Sequence, residues 1–161
     1  MRRAVLPGSF DPLTVAHLAI ADAAHSQLTL DYIDLVISVD PLGKDGRTQA
    51  SAEERLDAIR SAAHGREWLR GLATEHRLLA DIAEGYDFLI VGGDKAAQLL
   101  DPTFYDSEEL MESALRGLPT LVLAPRPGGV APDDAVVLEL PDWVAAVSST
   151  AVRSGRIEWK A

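Results

Sequence analysis

Six short apolar runs recur along this chain, with segments carrying helical start and stop signals between them. The runs are Ala4–Leu6, Ile33–Val39, Trp68–Ala73, Phe88–Val91, Thr120–Leu123 and Ala135–Leu140. They have the length of strands, and most of their residues are apolar in succession rather than at every second position. A strand apolar on both sides must be covered on both sides, and strands that alternate with helices run parallel through crossover connections. The expected fold is α/β, a single doubly wound, mostly parallel sheet with helices on both faces. A chain of 161 residues suits one such domain over 1–161, and no repeat or linker divides it.

Helix ends are also legible. Thr14 precedes a run rich in Ala, Leu and Ile, which predicts a helix over 15–28. Ser51 and Glu54 have the S-x-x-E spacing of a capping box, in which each side chain satisfies the other's backbone N–H. Thr74 is placed to cap a helix closed by Gly85, and Asp94 to cap one over 95–100 that Pro102 stops. A helix over 107–116 ends at Gly117, and Ser149 opens a short helical turn near the end.

The formal net charge of −10 argues against nucleic acid as a partner, because a phosphate backbone needs a basic surface. It leaves room for a small anion held by a few cations. The chain has no cysteine, hence no disulfide framework and no thiolate metal site. The apolar run after Met1-Arg2-Arg3 stops at Pro7-Gly8, too short for a signal peptide, and no stretch approaches membrane-spanning length. A cytoplasmic enzyme with no membrane partner is the expectation.

In such sheets ligands bind beyond the carboxyl ends of the strands, where the strand order reverses. The loops there are Gly8-Ser9-Phe10-Asp11-Pro12, Asp40 to Lys44, Gly92-Gly93-Asp94 and Pro125-Arg126. The first is the richest. A glycine lets a phosphate approach the backbone, and the helix start that follows favours anions. Thr14 and His17 are three apart and share a face of that helix, so a hydroxyl and an imidazole can both donate to one phosphate. Near the other end, Ser148, Ser149 and Thr150 at a helix start form a second anion site, to which Arg153 adds a fork of donors. Taken singly, each group reads as readily as a helix cap or a surface cation. His25, His64 and His76 have no metal-ligand spacing and read as surface or packing residues. The acidic stretch from Asp101 to Glu112 reads as a solvated face, though Phe104 and Tyr105 within it could stack on a ring. Trp159 is expected to cap the core or to sit in the interface of a homo-oligomer.

The segment Gly8-Ser9-Phe10-Asp11-Pro12-Leu13-Thr14-Val15-Ala16-His17 closely resembles the signature of the H/T-x-x-H nucleotidyltransferases, the cytidylyltransferase-like superfamily. Val147–Arg153 resembles their I-S-S-T-x-x-R, Gly92-Gly93-Asp94 their G-x-D, and Ser51–Arg55 their S-x-E-E-R helix. The resemblance covers nearly the whole chain, with one departure: Ala16 stands where the family usually has Gly. It implies a Rossmann-like fold and transfer of AMP from ATP to a small phosphate-bearing acceptor. Thr14, His17 and Arg153 are the implied catalytic residues. Gly8, Ser9 and Phe10 would line the phosphates, and Ser148, Ser149 and Thr150 would hold the β- and γ-phosphates. Gly92 and Asp94 would place the ribose, and Lys44 would steady the attacking phosphate. Arg126 matches an arginine of the mononucleotide adenylyltransferases. Mg²⁺ is implied as a bridge between triphosphate oxygens, held mostly by phosphate and water.

The acceptor stays open. Tyr86–Lys95 and the Ser-Ser-Thr before Arg153 look closer to the nicotinate or nicotinamide mononucleotide branch, whereas Thr14 leans toward the pantetheine-phosphate branch. A transferase using CTP with a phosphoalcohol and a non-catalytic nucleotide-binding module are the other readings. Intact Thr14, His17 and Arg153 count against the last.

Overall fold

All six strands of the structure, a computed structural model, lie parallel in one sheet, in the order β3-β2-β1-β4-β5-β6. The residues described are 1–39, 50–125, 131, 134–147, 152 and 155–161, with Gly93, Asp94 and Ile157 described by backbone alone. The strands are β1 Arg3–Gly8, β2 Tyr32–Ser38, β3 Leu69–Thr74, β4 Phe88–Gly92, β5 Thr120–Ala124 and β6 Val136–Val137. The helices are α1 Val15–Leu28, α2 Ala52–Ala62, α3 Leu79–Ile82, α4 Gly93–Leu99 and α5 Glu108–Arg116.

Successive strand residues point to opposite faces. Leu6, Ile33, Leu35, Ile37 and Ile90 pack with Ala21, Ala24, Leu56 and Ile59, so α1 and α2 cover one face. Val5, Val36, Leu89, Val91 and Leu123 pack with Leu79, Ile82, Ala96 and Leu99, so α3 and α4 cover the other. This is the doubly wound, Rossmann-like α/β architecture. Asp34 interrupts the apolar run of β2 and is 2% exposed. Arg70 grips it through two bonds, at 2.7 and 3.0 Å, and the Tyr86 hydroxyl donates to it at 2.6 Å. These bonds offset its desolvation and tie β2 to β3 and to the approach to β4. Burial first, then the bond to Asp34, pushes the Tyr86 phenol well above its usual range.

The chain builds β2 and β3 outward from one side of β1, then crosses to start β4 on the other. The order therefore reverses between β1 and β4. Ala4 pairs with Phe88 and Val5 with Leu89. Gly8 and Gly92 each stand four residues beyond the Ala4–Phe88 pair, so both strand ends meet the same crevice.

Several helix starts differ from expectation. Thr74 caps no helix; it pairs with Ser38 in the sheet, and its hydroxyl accepts the His76 N–H at 3.1 Å. The helix that follows is only Leu79–Ile82. Helix α4 starts at Gly93 with Gly92 as its cap, which puts Asp94 inside the first turn. Ser51 accepts the Glu54 N–H at 3.1 Å, but the return bond of the box is not made. The last strand is Val136–Val137, shorter than the apolar run around it. The turn expected at Ser149 lies outside the described residues. Among the described residues, no helix is long and apolar enough to cross a membrane.

Candidate active site

The loop after β1 is shaped by Phe10, which has a left-handed backbone (φ 48°) and is 2% exposed. Its ring folds back over Gly8, where a Cβ would lie 2.8 Å from the ring's Cζ. The same ring meets the His17 imidazole edge-to-face, with centroids 4.9 Å apart and planes at 80°. Gly8 is thus required for the ring, and the ring helps fix the imidazole.

Thr14 caps α1 in extended conformation. Its hydroxyl accepts the His17 N–H at 3.4 Å, and its own N–H donates to His17 Nδ1 at 2.9 Å. The hydroxyl also lies 3.0 Å from Nδ1. The reciprocal capping box of this protein is therefore Thr14–His17, with imidazole in the place that Glu or Gln usually takes. A backbone N–H can only donate, so Nδ1 accepts and the neutral ring carries its hydrogen on Nε2, turned away from Thr14. No acidic residue lies in the first turn of α1 to oppose an anion there.

Ala16 is 5% exposed and packs with Val144 and Val147. The methyl that sets it apart from glycine is spent on that packing. Val147 directly precedes Ser148. On the far side of 148–154, Lys160 bridges to Thr14, the Ala161 N–H donates to the Leu13 carbonyl at 3.0 Å, and Trp159 packs against the same cluster. Both flanks of the second motif are thus seated on the start of α1. Trp159 packs on α1, as the core-capping expectation had it. Ser148, Ser149, Thr150 and Arg153 themselves lie outside the described residues, as do Lys44 and Arg126.

Gly92 ends β4, and among the described residues a Cβ there would meet nothing within 4 Å. Between the start of α3 and the end of α4, Arg77, Leu78, Gln98, Phe104 and Tyr105 line a small pocket. The Tyr105 hydroxyl is anchored on the Leu99 carbonyl at 3.0 Å, and burial, then the charge of Asp81, holds this phenol above its ordinary value. Among the described residues, no three carboxylate or imidazole groups converge to hold a metal ion.

Arg55 was not singled out by its sequence beyond the helix motif. It is 4% exposed and donates to the Ser9 carbonyl at 2.8 Å and to the Ser51 carbonyl at 3.3 Å. Burial lowers its guanidinium from the ordinary value, and the charge of Asp11 opposes that shift. Asp11, itself buried, accepts the Ala50 N–H at 3.1 Å. One signal was present: Arg55 stands four residues before Ile59 on the buried stripe of α2.

A family profile described as cytidylyltransferase-like matches residues 5–155. A probable nicotinate-nucleotide adenylyltransferase of Dehalococcoides mccartyi is 27% identical over 149 residues, covering 83% of this chain and 69% of that protein. Another, of Bacillus mycoides, is 28% identical over 164 residues, covering 92% and 82%. A phosphopantetheine adenylyltransferase of Streptomyces coelicolor is 32% identical over 146 residues, covering 89% and 86%. The protein is a nucleotidyltransferase built on a doubly wound parallel sheet. It belongs to the cytidylyltransferase-like family.

Proposed function

We propose that this protein, as a single domain, transfers AMP from ATP to nicotinate or nicotinamide mononucleotide and releases pyrophosphate. The observation that carries the proposal is the Thr14–His17 cap beside the crevice where the strand order reverses. An acceptor phosphate oxygen attacks the α-phosphorus in line. The new P–O bond forms as the bond to the bridging oxygen of pyrophosphate breaks, with no covalent enzyme intermediate. His17 donates from Nε2 to a phosphoryl oxygen as charge grows on it, held by Thr14 and Phe10. The Phe10 N–H adds a second donor. Ser148, Ser149, Thr150 and Arg153 hold the β- and γ-phosphates; the seating of both their flanks on α1 supports this. Gly92 and Asp94 receive the ribose, and Lys44 and Arg126 serve the phosphates. Mg²⁺, when bound, would neutralise triphosphate charge, held mostly by phosphate and water.

Phe104 and Tyr105, beyond the end of α4, offer aromatic faces for a pyridine ring, which suits a mononucleotide acceptor. The second reading is pantetheine phosphate as acceptor, favoured by the 32% identity with the Streptomyces enzyme and by Thr14 in the first motif. Pyrophosphate release with ATP or CTP against nicotinate mononucleotide, nicotinamide mononucleotide, phosphopantetheine and a phosphoalcohol separates the readings. The proposal expects turnover with ATP and a mononucleotide. Turnover with phosphopantetheine alone would replace it by the second reading, and no turnover with any pair would leave a nucleotide-binding module.

A further inference from the structure

We infer that Arg55 is a positioning residue for phosphoryl transfer, acting through the Ser9 carbonyl; this rests on the phosphate-binding reading of the loop after β1. Arg55, 4% exposed, donates from Nη1 to the Ser9 oxygen at 2.8 Å. The Ser9–Phe10 peptide is trans, and in a trans peptide the C=O and the following N–H point in opposite directions. Holding the Ser9 carbonyl toward Arg55 therefore turns the Phe10 N–H away from it. Among the described residues no acceptor takes that N–H, although Phe10 is 2% exposed. A buried donor without a partner is costly, and an anion above the loop would satisfy it.

The rest of the environment fits a positioning role. A buried arginine is expensive unless its charge is answered, and Asp11, two residues beyond Ser9, answers it. Arg55 also takes the Ser51 carbonyl, and Asp11 takes the Ala50 N–H, so the two charges clamp the loop to the start of α2 from both sides. Arg55 spends its donors on the Ser9 and Ser51 carbonyls, so it acts on the loop rather than on the substrate. It fixes the direction of one peptide plane, and through it one donor aimed at the α-phosphate.

The test compares Arg55→Ala and Arg55→Lys with the parent and with His17→Ala, reading kcat, KM for each substrate and Tm. Arg55→Ala should lose roughly ten- to hundredfold in kcat, the scale of misdirecting one transition-state donor, with the KM of the acceptor unchanged within about twofold. Millimolar guanidinium should restore part of that kcat, where sodium chloride at equal ionic strength should not. Recovery of this kind is not expected if Arg55 only supports the fold. A kcat loss that follows the folded fraction, with no guanidinium recovery, overturns the inference. If Arg55→Ala does not fold, Arg55→Lys decides, because it keeps the charge beside Asp11 and loses the fork. Parent-like kcat in the lysine variant overturns the inference, whereas reduced kcat at native Tm supports it. The His17→Ala arm separates the two levels. If His17→Ala loses turnover and the Arg55 variants do not, the inference alone fails. If His17→Ala keeps parent turnover, the reading of the site fails with it.

Discussion

His17 Nδ1 accepts the backbone N–H of Thr14 at 2.9 Å, and the Thr14 hydroxyl accepts the backbone N–H of His17 in return. The side chain that the proposed chemistry needs is thus half of a helix cap. Ordering the imidazole costs the reaction nothing further, because the start of α1 has already ordered it. The cap also decides which ring nitrogen faces the crevice.

That decision can be read directly. A ¹⁵N spectrum of the neutral His17 ring should show Nδ1 unprotonated and Nε2 carrying the hydrogen. A hydrogen on Nδ1 would mean that the bond from Thr14 is not made in solution.

Two glycines at neighbouring strand ends should respond oppositely to one methyl. A Cβ at Gly92 meets none of the described residues, so the Tm of Gly92→Ala should stay near the parent value while ATP binding weakens. Gly8→Ala meets the Phe10 ring at 2.8 Å, and that buried ring is also packed on His17. It should lose about 1–3 kcal/mol of stability, as overpacked sites do, and turnover with it. Thermal melts and ATP calorimetry on both variants check this; a destabilised Gly92→Ala with normal ATP affinity would remove Gly92 from the site.

Tyr105→Ala should raise the KM of the acceptor more than that of ATP. Its ring lines the pocket, and the bond to the Leu99 carbonyl holds it there. Phe104 lines the same pocket, so Phe104→Ala should shift KM in the same direction. Steady-state kinetics with each substrate varied in turn provide the measurement, and equal rises for both would place the pocket outside the acceptor site.

The central strands were legible because strands buried on both faces cannot hide their apolar runs, and even Asp34 did not mask β2. Helix α1 and its Thr14 cap were legible for a similar reason: the cap residue and the apolar run are contiguous. What the sequence hid were matters of competition. Thr74 has the chemistry of a cap, but pairing with Ser38 holds it in the sheet. The pattern for a reciprocal box points to Ser51 and Glu54, yet the box forms at Thr14 with a histidine, a residue the pattern does not include. Arg55 follows two glutamates and reads as one more solvated charge; only the folded loop shows that its partner is the carbonyl of Ser9, 46 residues away. Ala16 shows in the sequence only as a departure from the family's Gly, and the fold gives its methyl to Val144 and Val147.

The central claim is that His17 stabilises charge at the α-phosphate, and pyrophosphate release by His17→Ala at saturating ATP and mononucleotide tests it most directly. The variant should fold, losing about 1 kcal/mol with the cap bond from Thr14. Its turnover should fall by roughly two to three orders of magnitude, the cost of one transition-state donor. A folded His17→Ala protein that turns over at the parent rate would contradict the account.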